Sequence, residues 1–215
     1  MQLEVVKGLV PSVLATLQPQ EAVYCENGIM LYKDPSVTVG RKTVHGGGLL
    51  GGVARVTVGG LPFFLTEFVG PGHVAFSRDG VGEVRIQELR PQEELDVAEG
   101  SLLCASNSIG YSMHYVHGTH RPGRLMGFWM DRLVGPGSVA IHGYGNIISM
   151  TLAPRETVTC DFGSLLYKSG SVQARAVNLP FGGGLLGHLE SFEVLELTGP
   201  GAVALQSVDP RQPHY

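Results

Sequence analysis

The tripeptide Gly-Pro-Gly occurs three times, at Gly70-Pro71-Gly72, Gly135-Pro136-Gly137 and Gly199-Pro200-Gly201. The first glycines stand at 70, 135 and 199, intervals of 65 and 64 residues. The flanks recur with it. Seven residues before each first glycine is Phe63, Phe128 or Phe192; two before is Phe68, Leu133 or Leu197. After each come Val74-Ala75-Phe76, Val139-Ala140-Ile141 and Val203-Ala204-Leu205. Self-similarity at a fixed period constrains a fold more than composition does, because each unit must adopt nearly the same backbone path and bury its apolar face against its neighbours.

A second block keeps the same order. Leu17-Gln18-Pro19-Gln20-Glu21 matches Leu89-Arg90-Pro91-Gln92-Glu93 and Leu152-Ala153-Pro154-Arg155-Glu156, and nine residues after each proline stands Gly28, Gly100 or Gly163. These blocks divide the chain into approximate repeats at 1–77, 78–142 and 143–208 with a short tail at 209–215, all within one compact domain. A lone unit of this length buries too little surface to be stable by itself, so the three are expected to share a core with pseudo-threefold symmetry.

Each block reads as β. Val23-Tyr24-Cys25 and Val158-Thr159-Cys160 place apolar residues at alternate positions after the proline. The 31 glycines and 13 prolines among 215 residues suit many short strands joined by tight turns. No segment carries a sustained 3.6-residue apolar stripe; the best helical candidate is the short stretch 1–13.

Charge and cysteine content narrow the function classes. A net charge of -4, with 15 Lys and Arg scattered along the chain, disfavours nucleic acid as a partner. No run of apolar residues is long enough to span a membrane as a helix. The first residues lack the charged-then-apolar pattern of a signal peptide. Cys25, Cys104 and Cys160 are odd in number and far apart, with no zinc or disulfide spacing, so a reducing cytoplasm is the expected compartment.

Few motifs point to chemistry. The loop Gly46-Gly47-Gly48-Leu49-Leu50 recurs as Gly182-Gly183-Gly184-Leu185-Leu186, with a degenerate copy from Pro122 to Gly127. It lacks the Lys-Ser/Thr ending of a phosphate-binding loop, so it reads as a connection whose leucines pack on a neighbouring unit or subunit. His114, His117 and His120 are the candidate metal ligands. On a straight strand His114 and His120 share a face but lie about 20 Å apart, so convergence requires a turn near Gly118. Glu21, Glu93 and Glu156 recur at one turn position, and their expected role is salt bridging or bonding of local turn N–H groups. Cys25 and Cys160 stand where the middle unit has Val97, as small buried hydrophobes do. Two departures break the symmetry: Arg132 replaces Glu67 and Glu196, and the middle unit loses its triple glycine. A single site is therefore sought first around 114–127.

The segment from Gly46 to Gly51, then Phe63-Phe64-Leu65-Thr66-Glu67-Phe68, then Gly70 to Phe76, closely resembles the family named for altered inheritance of mitochondria, and the resemblance covers nearly the whole chain. It implies a fold like that of the tryptophan RNA-binding attenuator protein: an all-β chain of three tandem attenuator-like units with double-stranded β-helix or jelly-roll character. Mitochondrial members of that family are implicated in inner-membrane organisation. The family contributes no catalytic residues, and this chain shows no transit peptide. The resulting expectation is a non-enzymatic structural or interaction protein that forms homo-oligomers, takes a protein or membrane-associated partner, and needs no cofactor. The alternatives are a small-ligand module with sites between units and, behind it, a metal-dependent enzyme using the histidines.

Overall fold

The computed structural model of the protein describes residues 1–42, 65–121, 124–180 and 191–210. The strands in chain order are β1 (Gln2–Val6), β2 (Ser12–Leu17), β3 (Ala22–Glu26), β4 (Met30–Lys33), β5 (Thr38–Lys42), β6 (Leu65–Val69) and β7 (Gly72–Ser77). Then come β8 (Gly82–Leu89), β9 (Glu94–Ala98), β10 (Leu102–Ser106), β11 (Gly110–Arg121), β12 (Arg124–Val134) and β13 (Gly137–Tyr144). The last are β14 (Ile147–Leu152), β15 (Thr157–Cys160), β16 (Leu165–Ser169), β17 (Gln173–Pro180), β18 (Ser191–Thr198) and β19 (Gly201–Gln206). Among the described residues all the pairing is antiparallel, in four sheets.

One pairing order recurs. The runs β2-β7-β4 and β3-β6-β5 are followed by β8-β13-β10 and β9-β12-β11, then by β14-β19-β16 and β15-β18-β17. These runs join end to end. β3 pairs with β10, and β9 pairs with β16. Two sheets thus span successive repeats, and among the described residues the first and third repeats share none.

The turns follow from local chemistry. In each Leu-x-Pro-x-Glu block the proline presets one turn position and the next residue takes positive φ: Gln20 at 69°, Gln92 at 64° and Arg155 at 67°. The glutamate N–H then bonds back to the carbonyl three residues earlier, at 3.1, 3.0 and 3.0 Å. Its carboxylate accepts from the N–H of Gln18, Arg90 or Ala153 at 2.8, 2.9 and 2.7 Å, which is one of the two roles expected for the repeated glutamates. At the Gly-Pro-Gly turns all three Gly–Pro bonds are cis, and the second glycines hold φ of 134°, 145° and 143°, a region that disfavours side chains.

The stretch 1–13 is not helical. It forms β1 and the first residues of β2, which pair as a hairpin. Leu3 and Val5 alternate with exposed neighbours along β1, and Gly8 and Pro11 interrupt any helical path. The middle copy of the glycine segment also departs from a simple connection: Arg124 to Gly127 belong to β12 and pair with β11.

Three apolar clusters run along the array. Val13, Val23, Cys25, Phe68 and Phe76 of the first repeat share one with Leu103, Cys104 and Ala140 of the second. The middle cluster joins Tyr24 of the first repeat and Leu133 and Ile141 of the second to Leu166 and Tyr167 of the third. The last joins Leu195 and Val203 to Val116 and Met130. Joining strands therefore lose the simple in-out alternation read from the sequence. Val23 and Cys25 face one cluster and Tyr24 the next, so all three are buried.

Candidate functional site: the junction of the second and third repeats

The polar residues gathered most deeply lie where β9 meets β16. Asp96 is fully buried on β9. It stands opposite Arg132 of β12 on one side and Lys168 of β16 on the other. Arg132 donates through Nε to Asp96 Oδ1 at 2.8 Å and through Nη2 to Oδ2 at 3.0 Å, while Lys168 Nζ donates to Oδ2 at 2.6 Å and to the Val172 carbonyl at 2.8 Å. Arg132 Nη1 also reaches Glu94 Oε2 at 3.3 Å. Burial alone would raise the Asp96 carboxyl, but the Arg132 hydrogen bonds and the nearby Lys168 charge outweigh it and hold the group below the usual carboxylate range.

His114 of β11 borders this cluster, its Nε2 3.7 Å from Asp96 Oδ2. Burial, opposed by the Asp96 charge, lowers its basicity, so the imidazole is neutral at pH 7. Its buried Nδ1 has no hydrogen-bond partner among the described residues. The same column at the junction of the first two repeats carries different chemistry. There Tyr24 replaces Asp96, and Lys42 replaces His114, with its ammonium 4.7 Å from the Tyr24 ring centroid.

Two clefts flank the junction. A shallow one of about 480 Å³ is lined by Gln92, Glu93, Glu94, Ser169, Gly170 and Ser171. The other, about 270 Å³, is bordered by Phe128, Trp129, Phe162 and Leu165, so it is more apolar and lies between repeats. Phe128 and Phe162 meet edge to face at 5.5 Å, and Trp129 packs likewise on Tyr115 at 5.2 Å.

Of the sequence candidates, His114 enters the cluster. The side chains of His117 and His120 lie outside the described residues, as do Gly46, Gly47, Gly48, Leu49, Leu50, Gly182, Gly183, Gly184, Leu185 and Leu186. The β11–β12 register shifts between His117 and His120, so the strand is irregular in the region where convergence would require it. Among the described residues no three His, Cys, Asp or Glu side chains form a metal-binding group. Sequence reading singled out Arg132 but missed Asp96 and Lys168. The available signal was compensation within one column: the repeats place Tyr24, Asp96 and Thr159 opposite Glu67, Arg132 and Glu196, so the position that gains an acid faces the one that gains a base.

The arrangement suits holding better than turnover. A carboxylate that accepts from both a guanidinium and an ammonium has little basicity left for proton transfer. The ammonium it holds is likewise spent as a nucleophile.

The fold and this junction define an all-β protein of serially joined antiparallel sheets. The family model described as mitochondrial biogenesis AIM24 matches residues 3–208, and the chain belongs to that family. No curated protein matches it. Among solved structures it is similar to protein SPYM3_0169 from Streptococcus pyogenes, at 22% identity and a TM-score of 0.71, covering 97% of this chain and 94% of that one. That likeness concerns the fold. No helix among the described residues is long and apolar enough to cross a membrane, which leaves strand-built spans unaddressed.

Proposed function

We propose that this protein is a non-enzymatic structural or interaction protein that self-assembles through its β scaffold. In this reading the chain is one compact domain of three attenuator-like units at 1–77, 78–142 and 143–208, related by pseudo-threefold sequence symmetry, with double-stranded β-helix character. It works in a reducing cytoplasm and presents a repeated surface to a protein or membrane-associated partner. The carrying observation is the Asp96 cluster: two carboxylates, Asp96 and Glu94, balance two cations, Arg132 and Lys168, across the junction between the second and third repeats. The cysteines are free, and burial pushes the Cys25 thiol up to about 12 and raises the Cys104 thiol well above its ordinary value, so neither offers a ready thiolate. Multi-angle light scattering tests assembly. The expected mass exceeds the 22.9 kDa of one chain; a strict monomer at high micromolar concentration removes self-assembly from the proposal.

A second reading is favoured by the cleft bordered by Phe128, Trp129 and Phe162, which lies between two units and offers aromatic faces to a small planar ligand. The probes are tryptophan, nucleotides and divalent metals in a thermal-shift screen. Stabilisation together with a change in Trp129 fluorescence supports this reading, and no shift with any of them ends it.

A further inference from the structure

We propose that β4 of one copy pairs with β15 of a second copy, head to tail, in the register used at both internal junctions, so that the array continues from chain to chain. The inference rests on the assembly reading above and names the surfaces and the partner.

The internal junctions supply the template. At the first, Ala105 faces Tyr24 and Ser106 faces Val23; at the second, Tyr167 faces Val97, Lys168 faces Asp96 and Ser169 faces Leu95. In repeat-equivalent positions these registers agree. β4 is the first repeat's counterpart of β10 and β16, and β15 is the third repeat's counterpart of β3 and β9. Among the described residues β4 pairs only with β7, and β15 only with β18. Each is half of a junction whose other half lies at the opposite end of the chain.

Burial marks the same gap. Met30, Leu31 and Tyr32 on β4 are 43%, 58% and 51% exposed, whereas their equivalents Leu102, Leu103 and Cys104 are at 0%, and Leu165, Leu166 and Tyr167 at no more than 5%. On β15, Val158 and Cys160 are half-buried and Thr159 is exposed, whereas Val23, Tyr24 and Cys25, and likewise Leu95, Asp96 and Val97, are buried. Three adjacent apolar residues along an open strand edge are a template for another chain.

With its outer edge open, β4 already has the shape of β10 and β16. The β4–β7 register slips between Met30 and Tyr32, as β10–β13 slips between Leu102 and Cys104 and β16–β19 between Leu165 and Tyr167. Lys33 sends its ammonium to the Val37 carbonyl at 2.9 Å, as Lys168 does to Val172. β1 does not obstruct the edge, because it flanks the sheet on the side away from β4. Transferring the register places Tyr32 opposite Cys160, Lys33 opposite Thr159 and Asp34 opposite Val158 of the next copy. Such a contact is heterologous, so it closes into a ring or extends as a fibre according to the rotation per copy.

The test is Tyr32→Cys in the full chain, oxidised mildly and analysed by non-reducing electrophoresis, peptide mass spectrometry and light scattering. Directly opposed strand positions lie within disulfide reach. The expected result is covalent oligomers linked between position 32 and Cys160, abolished when Cys160→Ser is added. A link from position 32 to position 32 of another copy, or no link in a protein that is oligomeric by light scattering, overturns this junction while leaving self-assembly standing. A monomer by light scattering that forms no link overturns both.

Discussion

Asp96 occupies a position where the other repeats carry tyrosine and threonine, and its burial makes it dependent on its partners. Removing one member of a buried ion pair leaves the other charged in a dry site, which typically costs 3–5 kcal/mol. Asp96→Asn is therefore expected to lose roughly 3 kcal/mol in urea denaturation, with Lys168 left buried and charged. The pair of changes Asp96→Leu and Lys168→Met should cost less than the single change, because the fully buried charges are then both gone and the part-exposed Arg132 keeps Glu94. Acid acts on the same group. Its carboxyl is held below the usual range, so the stability it contributes is fully present above about pH 4 and is lost as pH falls through its folded value. His142 is the second pH-sensitive residue. It is buried edge-on to Tyr144 at 4.7 Å, and burial, reinforced by the Arg78 charge, lowers its basicity. The unfolded chain then takes up a proton first as pH drops below about 6.5, so this group's contribution is present above that value and falls away below it. His142→Leu should reduce the fall of the urea midpoint between pH 7.5 and about 5.5, a window set by the unfolded histidine value, and the remaining slope belongs to His114, whose basicity burial lowers in the same direction.

At the scale of elements the turns carry the repeat. A Cβ at Gly135 would run into the Arg90 carbonyl oxygen, and one at Gly137 would come within 2.8 Å of Ser108 Oγ on a backbone with φ of 145°. Gly137→Ala is expected to destabilise by about 2–3 kcal/mol, read from the chemical-denaturation midpoint. The neighbouring proline turn behaves oppositely. Gln92 holds a left-handed φ of 64° that a side chain disfavours, so Gln92→Gly should be neutral or stabilising by up to about 1 kcal/mol. Both turns are legible in the sequence, because proline, glycine and a capping carboxylate act on backbone atoms within three or four residues. The stretch 1–13 is not. Its few apolar residues fit either period, and pairing with β2, itself paired to β7, decides the matter.

Across the whole molecule, two sheets cross repeat boundaries and join strands of successive repeats. Trp129 lies on β12, in the sheet that joins the second repeat to the third. Its fluorescence and the far-ultraviolet dichroism of all the strands should report one coincident transition in urea; two separated midpoints would show that the repeats unfold independently. Much of the candidate junction was hidden at the sequence level for a matching reason. Arg132 drew notice as an exception to the repeat, but its partners are 36 residues away at Asp96 and, through that carboxylate, 72 further on at Lys168. Nothing in local spacing selects those pairs. Strand pairing between units does.

The sequence by itself determined the threefold recurrence, the β character and the turn chemistry, all of which rest on dihedral preferences and short-range hydrogen bonds written into each repeat. Only the tertiary structure decided how the repeats are joined. β3 meets β10 and β9 meets β16, which buries Asp96 against Lys168 and leaves β4 and β15 as edges. Those outcomes depend on which distant strand supplies the missing hydrogen bonds and covers the apolar side chains. Similar local sequence thus yields a buried Leu166 in Leu165-Leu166-Tyr167-Lys168 and an exposed Leu31 in Met30-Leu31-Tyr32-Lys33.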